Sequence, residues 1–182
     1  MNARQSRRLA PILLSACLLS SEACTHNIHV TPVPSRTSSA SIDQTVRVAV
    51  PQLAVQGPDR MPGISLLNWP AGDLRQAIVE YARQRNTFRA VGEDQGSLIL
   101  TVNAWLWVRS REAYQYTVQL ESDLGTTGTP PTKTYVVKKE AVGSRIRWVT
   151  ATDRDPIAAA VQAALDDLFM QIEEDAALYG RK

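Results

Sequence analysis

Residues 97–110, SLILTVNAWLWVRS, alternate with a period of two residues. Leu98, Leu100, Val102, Ala104, Leu106 and Val108 fall on one face; Ile99, Thr101, Asn103, Trp105, Trp107 and Arg109 fall on the other. Successive side chains point to opposite faces only in a strand, so this stretch must be one, and a long one. The next run, AYQYTVQLES, puts Tyr114, Tyr116, Val118 and Leu120 on one side and Gln115, Thr117, Gln119 and Glu121 on the other. The polar break between the runs is too short for a crossover, so the pair reads as an antiparallel hairpin. A strand with one wet side belongs to a sheet that has one face on a core and one toward solvent.

The remaining elements arrange themselves around that hairpin. Val46 to Val50 alternate as a strand that Pro51 helps to end. Residues 56–72 are rich in Gly and Pro and read as a loop, held down by Leu66, Leu67 and Trp69. Asp73, with Gln76 three residues on, has the pattern of an N-cap and capping box. Leu74, Ala77, Ile78, Tyr81 and Ala82 then mark a helical face over 73–85. Residues 87–91 suit a short strand, 133–142 another, and 145–151 its continuation or a separate strand. Asp155-Pro156 reads as a cap and first turn. Ile157, Val161, Leu165, Leu168, Phe169 and Ile172 recur at helical spacing, and Glu173, Glu174 and Asp175 at the end are expected to be solvated. The expected fold is α+β: a mostly antiparallel sheet of four to five strands with two helices packed on one face.

The N-terminus carries a different signal. MNARQSRR holds Arg4, Arg7 and Arg8 and no acid, and LAPILLSACLLS follows it. A basic segment before a short apolar run is the layout of a secretory signal, and the run is shorter than the ~20 residues of a membrane span. Residues 25–45, THNIHVTPVPSRTSSASIDQT, are polar, lack a period and read as a linker. The expected organisation is a signal over 1–16, a tether over 17–45 and one domain over 46–182. The intact chain counts 20 Lys+Arg against 18 Asp+Glu; losing residues 1–16 leaves 17 against 18, a net of −1. A nucleic-acid role, which calls for a basic domain, loses its support.

Little catalytic chemistry is written in the domain. Its only candidates for imidazole chemistry, His26 and His29, lie in the tether, and no cysteine follows Cys24. Ser-His and Cys-His nucleophiles are therefore excluded within residues 46–182, and the commonest zinc ligands are missing there. GTTGTPPT lacks the lysine and the following helix of a phosphate loop. The acidic neighbours Asp153/Asp155, Asp166/Asp167 and Glu93/Asp94 are better explained as caps, helix surface and turn than as a catalytic pair. No cofactor, metal or enzymatic role is expected. Two surfaces remain. The purer aliphatic face of the long strand is the one expected to meet the helices. Asn103, Trp105, Trp107 and Arg109 are then an aromatic and basic platform, or are covered by the Trp69 loop. Lys138, Lys139, Arg145 and Arg147 form a candidate basic patch for anionic headgroups or lipopolysaccharide phosphates.

Leu14-Ser15-Ala16-Cys17 resembles the lipobox of bacterial lipoproteins: an apolar residue, two small ones, then the cysteine that takes the lipid. Ser21-Glu22-Ala23-Cys24 is the rival, weakened by the charge of Glu22 but leaving no free thiol after cleavage. Together with the hairpin, the 133–149 segment and DPIAAAVQAALDDLFMQI, the lipobox resembles small Gram-negative lipoproteins of the YajG type. The lipopolysaccharide-assembly lipoprotein LptE and the auxiliary lipoproteins of lipid-transport ABC systems are similar in layout. The resemblance implies acyl chains (palmitate among them) on Cys17 or Cys24. Neither following residue, Leu18 or Thr25, is an aspartate, which implies sorting to the outer membrane, facing the periplasm. The function so implied is a non-catalytic accessory or scaffold subunit in cell-envelope assembly or transport, with an envelope protein as partner. The alternative is a lipid-, lipopolysaccharide- or glycan-binding module using the Trp105/Trp107 face.

Overall fold

The computed structural model describes residues 26–57, 67–92, 94–145 and 151–180. Cys17 and Cys24, the two candidates for lipid attachment, lie outside those residues, as do Arg147, Glu93 and most of the strand expected at 145–151. The elements run β1 (His26–Asn27), β2 (Ile42–Gln56), β3 (Leu67–Asn68), α1 (Ala71–Arg85), β4 (Phe88–Gly92), β5 (Leu98–Ser110), β6 (Tyr114–Thr126), β7 (Lys133–Val142) and α2 (Ala151–Glu174). A short 3-10 turn, Ala176–Leu178, follows. The main sheet has the order β4-β2-β5-β6-β7, and β1 pairs with β3 in a small parallel ladder.

The long alternating run is β5, at the centre of the sheet. Its even-numbered residues, from Leu98 to Val108, are buried, and β6 contributes Tyr116, Val118, Leu120 and Leu124 to the same core. The hairpin is antiparallel as expected, from Leu98↔Thr126 to Ser110↔Tyr114. Both helices lie on this one face, α1 against β2 and β4, α2 against β6 and β7. The fold is thus the two-layer α+β plan, but the sheet is mixed: β2 pairs in parallel with both β4 and β5. A short link such as the one between β4 and β5 usually closes a hairpin. Here the chain instead crosses β2 and continues in the same direction. At Gly96 the backbone comes so close that a Cβ would lie 2.6 Å from the Arg47 nitrogen, so only glycine fits the crossing. Ser97 secures it by donating to Gln44 Oε1 at 2.6 Å.

Several local readings are corrected by tertiary packing. Pro51 does not end β2. The register slips by one residue between Ala49 and Gln52, a bulge in which proline's missing N–H has no ladder partner to lose. After the bulge Leu53 and Val55 sit opposite Ala104 and Leu106 on the core side. Asp73 is not the cap of α1; Pro70 is, and Asp73, in the first turn, lies with its Oδ2 2.6 Å from His29 Nδ1. The far end of α1 closes at Asn86, in the left-handed conformation with φ 61° that an asparagine tolerates. Asp155 and Pro156 lie inside α2, whose first turn is held from the sheet: Asp153 is buried and accepts a hydrogen bond from the Tyr116 hydroxyl.

The expected tether is the largest revision. β2 begins at Ile42 rather than Val46, and Ile28 and Val30 are buried in the core. Residues 28–41 run along the helical layer from one end of the domain to the other. His29 meets Asp73 at the start of α1. The Ser35 N–H and Oγ both donate to Asp166 of α2, at 3.2 and 2.9 Å. The Ser38 N–H donates to the carbonyl of Arg85, and that of Ile42 to Thr87.

Beneath this strap lies a buried ionic cluster. Arg85 is fully buried; its Nε donates to Glu173 Oε1 at 2.6 Å and its second terminal nitrogen to Oε2 at 3.1 Å. The remaining guanidinium nitrogen reaches the Tyr81 hydroxyl at 3.1 Å and Asp166 Oδ1 at 3.2 Å, and Thr87 donates to Glu173 at 2.8 Å. Glu173 is therefore not solvated, and Asp175 is taken by Lys133 at 2.5 Å. Burial pushes the Glu173 carboxyl up, but hydrogen bonds from Arg85, Thr87 and Ser38 outweigh it and hold the group below its ordinary 4.5. Burial and the hydrogen bond to Asp166 raise the Tyr81 phenol above its usual range.

Removing one partner from such a pair strands a buried charge, at a cost of about 3–5 kcal/mol, whereas an apolar replacement of both costs far less. Arg85→Met alone is expected to lower the thermal midpoint more than the double variant Arg85→Met/Glu173→Leu, as read by calorimetry. The depressed Glu173 carboxyl contributes stability that is fully present above its unfolded value of 4.5 and fades as pH falls through its lower folded value. Denaturant midpoints measured from about pH 6 to about pH 3 should fall below about pH 4.5 in the native chain and less steeply in the double variant.

Candidate functional site

The sheet face opposite the helices carries the candidate site. Because the aliphatic face of β5 is the one the helices cover, Ile99, Thr101, Asn103, Trp105 and Trp107 point away from the core and are half-buried, and Arg109 is exposed. Trp69, the residue that might have covered them, is itself buried in the core. The four residues predicted for this surface thus share one strand face, with the two indoles two positions apart.

Cross-strand neighbours complete the surface. Trp105 lies between Ala54 of β2 and Gln119 of β6; Trp107 lies between Gln56 and Thr117. Small Ala54 leaves the Trp105 ring without a bulky neighbour on that side. The Trp107 Nε1–H donates to Gln56 Oε1 at 2.9 Å, which fixes the indole plane. Lys138 of β7, opposite Gln119, brings its Nζ to 6.0 Å from the Trp107 ring centroid, the outer limit of a cation–π contact. Asn103 is opposite Gln52 and Glu121, and Glu121 is opposite Val136, which is 57% exposed. Carboxamides, two indoles and exposed aliphatic side chains therefore alternate across an open, gently polar surface. Nothing in this arrangement pairs a nucleophile with a base; it can stack, donate and accept hydrogen bonds, and bury apolar area.

The other sequence candidates disperse. Lys138 and Lys139 are adjacent and so point to opposite faces: Lys139 crosses to the helical side and pairs with Asp167 at 2.7 Å, holding that carboxyl below its usual range. Arg145 is exposed at the far end of β7, and the four-residue basic patch does not form as drawn. Asp166 and Asp167 face different partners, Ser35 and Tyr81 for one, Lys139 and Gln171 for the other. Asp153 is buried beside Tyr116 while Asp155 is exposed. Among the described residues, no group of three or more His, Cys, Asp or Glu is placed to hold a metal, and no helix is long and apolar enough to cross a membrane. Sequence reasoning missed Arg85 and Glu173; the one available clue was an arginine at the end of an otherwise well-formed apolar stripe.

No family model and no curated protein matches this chain. Among solved structures, the chain is similar to protein XCC0632 from Xanthomonas campestris, assigned to the family DUF330, with a TM-score of 0.51 and 15% identity over 85% of this chain and 95% of that one. A second crystal structure, of an uncharacterized protein, aligns over 83% of this chain and 98% of its own at 16% identity, with a TM-score of 0.42. At 15% identity the first likeness establishes a shared fold.

The two faces of β5 make opposite demands on substitution. Leu106→Ala, at a fully buried position, should cost about 2–5 kcal/mol. Trp105→Ala should cost about 1 kcal/mol or less, the worth of cross-strand contacts on a half-open face. Urea unfolding of the two variants checks this difference.

Proposed function

We propose that this chain is a non-catalytic, membrane-anchored lipoprotein that works by contact, as an accessory or scaffold subunit in cell-envelope assembly or transport. The observation that carries the reading is the half-exposed Trp105/Trp107 face, which neither helix covers and over which none of the described residues packs as a layer. Tryptophan and arginine are the residues that most often anchor protein interfaces, and here both kinds stand on one rigid central strand. The lipobox at Cys17, with Cys24 as rival, supplies the anchor, and Leu18 or Thr25 after it favours the outer membrane, facing the periplasm. The resemblance to YajG-type, LptE-like and ABC-transport auxiliary lipoproteins supports the same assignment.

A second reading is favoured by the carboxamides around the indoles. Gln56, Asn103 and Gln119 beside Trp105 and Trp107 provide the stacking and hydrogen-bonding groups with which a glycan or a lipid headgroup is held. Tryptophan fluorescence titrated with lipopolysaccharide, phospholipid and glycan fragments separates the two: a saturable change lost in Trp105→Ala supports the binding module.

For the leading reading, a photoreactive residue at position 105 in native membranes should give one discrete protein adduct. The adduct should disappear in Trp107→Ala and persist in Arg89→Gln, which changes an exposed residue at the opposite end of the sheet. A chain that gives no discrete adduct, or the same adduct in all variants, removes the proposal.

A further inference from the structure

We infer that the end of the domain from which the N-terminal segment departs is a docking surface for an anionic phospholipid leaflet, centred on Arg109, Arg111, Arg145 and Arg154. The inference deepens the anchored reading above and rests on it. Three contacts bring the four arginines to one end. The β5–β6 turn joins Arg109 to Tyr114, and the Tyr114 N–H donates to the carbonyl of Ser144, which places Arg145 beside that turn. The Tyr116 hydroxyl holds Asp153, which places Arg154 at the same end. Arg154 in turn shares a cleft with Asn27 and His29, where the strap begins. Gly143 seals the junction: a Cβ there would lie 2.8 Å from the Tyr116 ring.

All four arginines are exposed, and none is held in an ion pair among the described residues. Glu112 and Asp155 share this end and temper its charge without closing on any of the four. At the opposite end the arrangement differs: Arg89 is paired with Asp43 at 3.3 Å and Lys133 with Asp175 at 2.5 Å. Unpaired cations also occur elsewhere, at Arg36 on the strap, Arg47 on β2 and Lys138 on β7, but only where the chain leaves toward its anchor do four arginines gather.

The strap converts this charge pattern into an orientation. Because residues 28–41 are docked on the helices, the reach from Cys17 to the domain is residues 18–25, which span at most about 28 Å. From Cys24 it is Thr25 alone. Either distance holds the arginine-bearing end near the headgroups rather than letting the domain tumble clear of them. A guanidinium binds a phosphodiester with two parallel N–H donors, and each basic residue near an anionic surface raises partitioning about fivefold. Trp107, one turn of the pleat above Arg109 on the same face, then stands close to the leaflet, and a partner would meet the open sheet at the membrane surface.

Amide hydrogen exchange on the membrane-extracted full chain tests this, after reconstitution in nanodiscs of phosphatidylcholine alone or with phosphatidylglycerol. Slowed exchange at 109–113, 144–145 and 151–154 on the anionic discs only, abolished by high salt, is expected. The triple variant Arg109→Gln/Arg111→Gln/Arg154→Gln should lose that protection with an unchanged thermal midpoint, and Arg89→Gln should keep it. Equal exchange on both discs, or protection that neither salt nor the triple variant disturbs, overturns the inference. If the chain does not remain with the discs, the anchor reading fails; the same exchange measurement with phosphatidylglycerol vesicles added to the free chain then decides the surface by itself, protection supporting it and none overturning it.

Discussion

The bidentate pair between Arg85 and Glu173 is the contact around which the helical layer is organised. It joins the last turn of α1 to the last turn of α2, two helices that otherwise cover different halves of the sheet. A buried guanidinium has five N–H donors, and here four of them are met by Glu173, Tyr81 and Asp166. Those acceptors need partners of their own. Thr87 at the entry to β4 serves Glu173, and Ser35 of the strap serves Asp166. The N-terminal strap is thus fastened by the same cluster that fixes the helix pair. Its course over the domain is tied to these polar partners as well as to the buried apolar side chains of Ile28 and Val30.

Placing both helices on one face has a consequence for the other. Among the described residues, no helix covers the opposite side of the five-stranded sheet. Along β5 the sequence meets this with two different vocabularies, aliphatic toward the helices and mixed aromatic-polar away from them. The open face is neither a bare hydrophobic patch, which would aggregate, nor a uniformly charged one. Gln56 orients Trp107, Lys138 approaches its ring, and Trp105 has the small Ala54 as its neighbour on β2. A surface built this way is suited to selective contact.

Local pattern was legible where one face of an element is buried over many residues. The hairpin of β5 and β6, the side of the sheet that meets the helices, the apolar stripes of α1 and α2 and the grouping of Asn103, Trp105, Trp107 and Arg109 all follow from periodicity. Such patterns are strong because a single-residue slip would turn every side chain to the wrong face. Helix starts were less legible: Asp73 and Asp155 both have the chemistry of caps, yet both lie inside their helices. A carboxylate near a helix N-terminus is favourable at several positions, so its presence marks the neighbourhood and not the residue.

What the chain determined by itself is therefore the inventory: a long amphipathic hairpin, two apolar-striped helices, a domain with neither His nor Cys beyond the strap, and an N-terminal segment that resembles a lipobox. Those are short-range properties, readable from spacing and residue type. Only the tertiary structure decided that β4 and β5 flank β2 in parallel, that residues 28–41 are strap instead of tether, and that Glu173 is buried on Arg85. It also decided which arginines stand free and at which end. Each of these depends on residues far apart in the chain meeting in space. A glycine that permits a crossing, or a carboxylate that finds a guanidinium 88 positions away, leaves no periodic trace in the sequence.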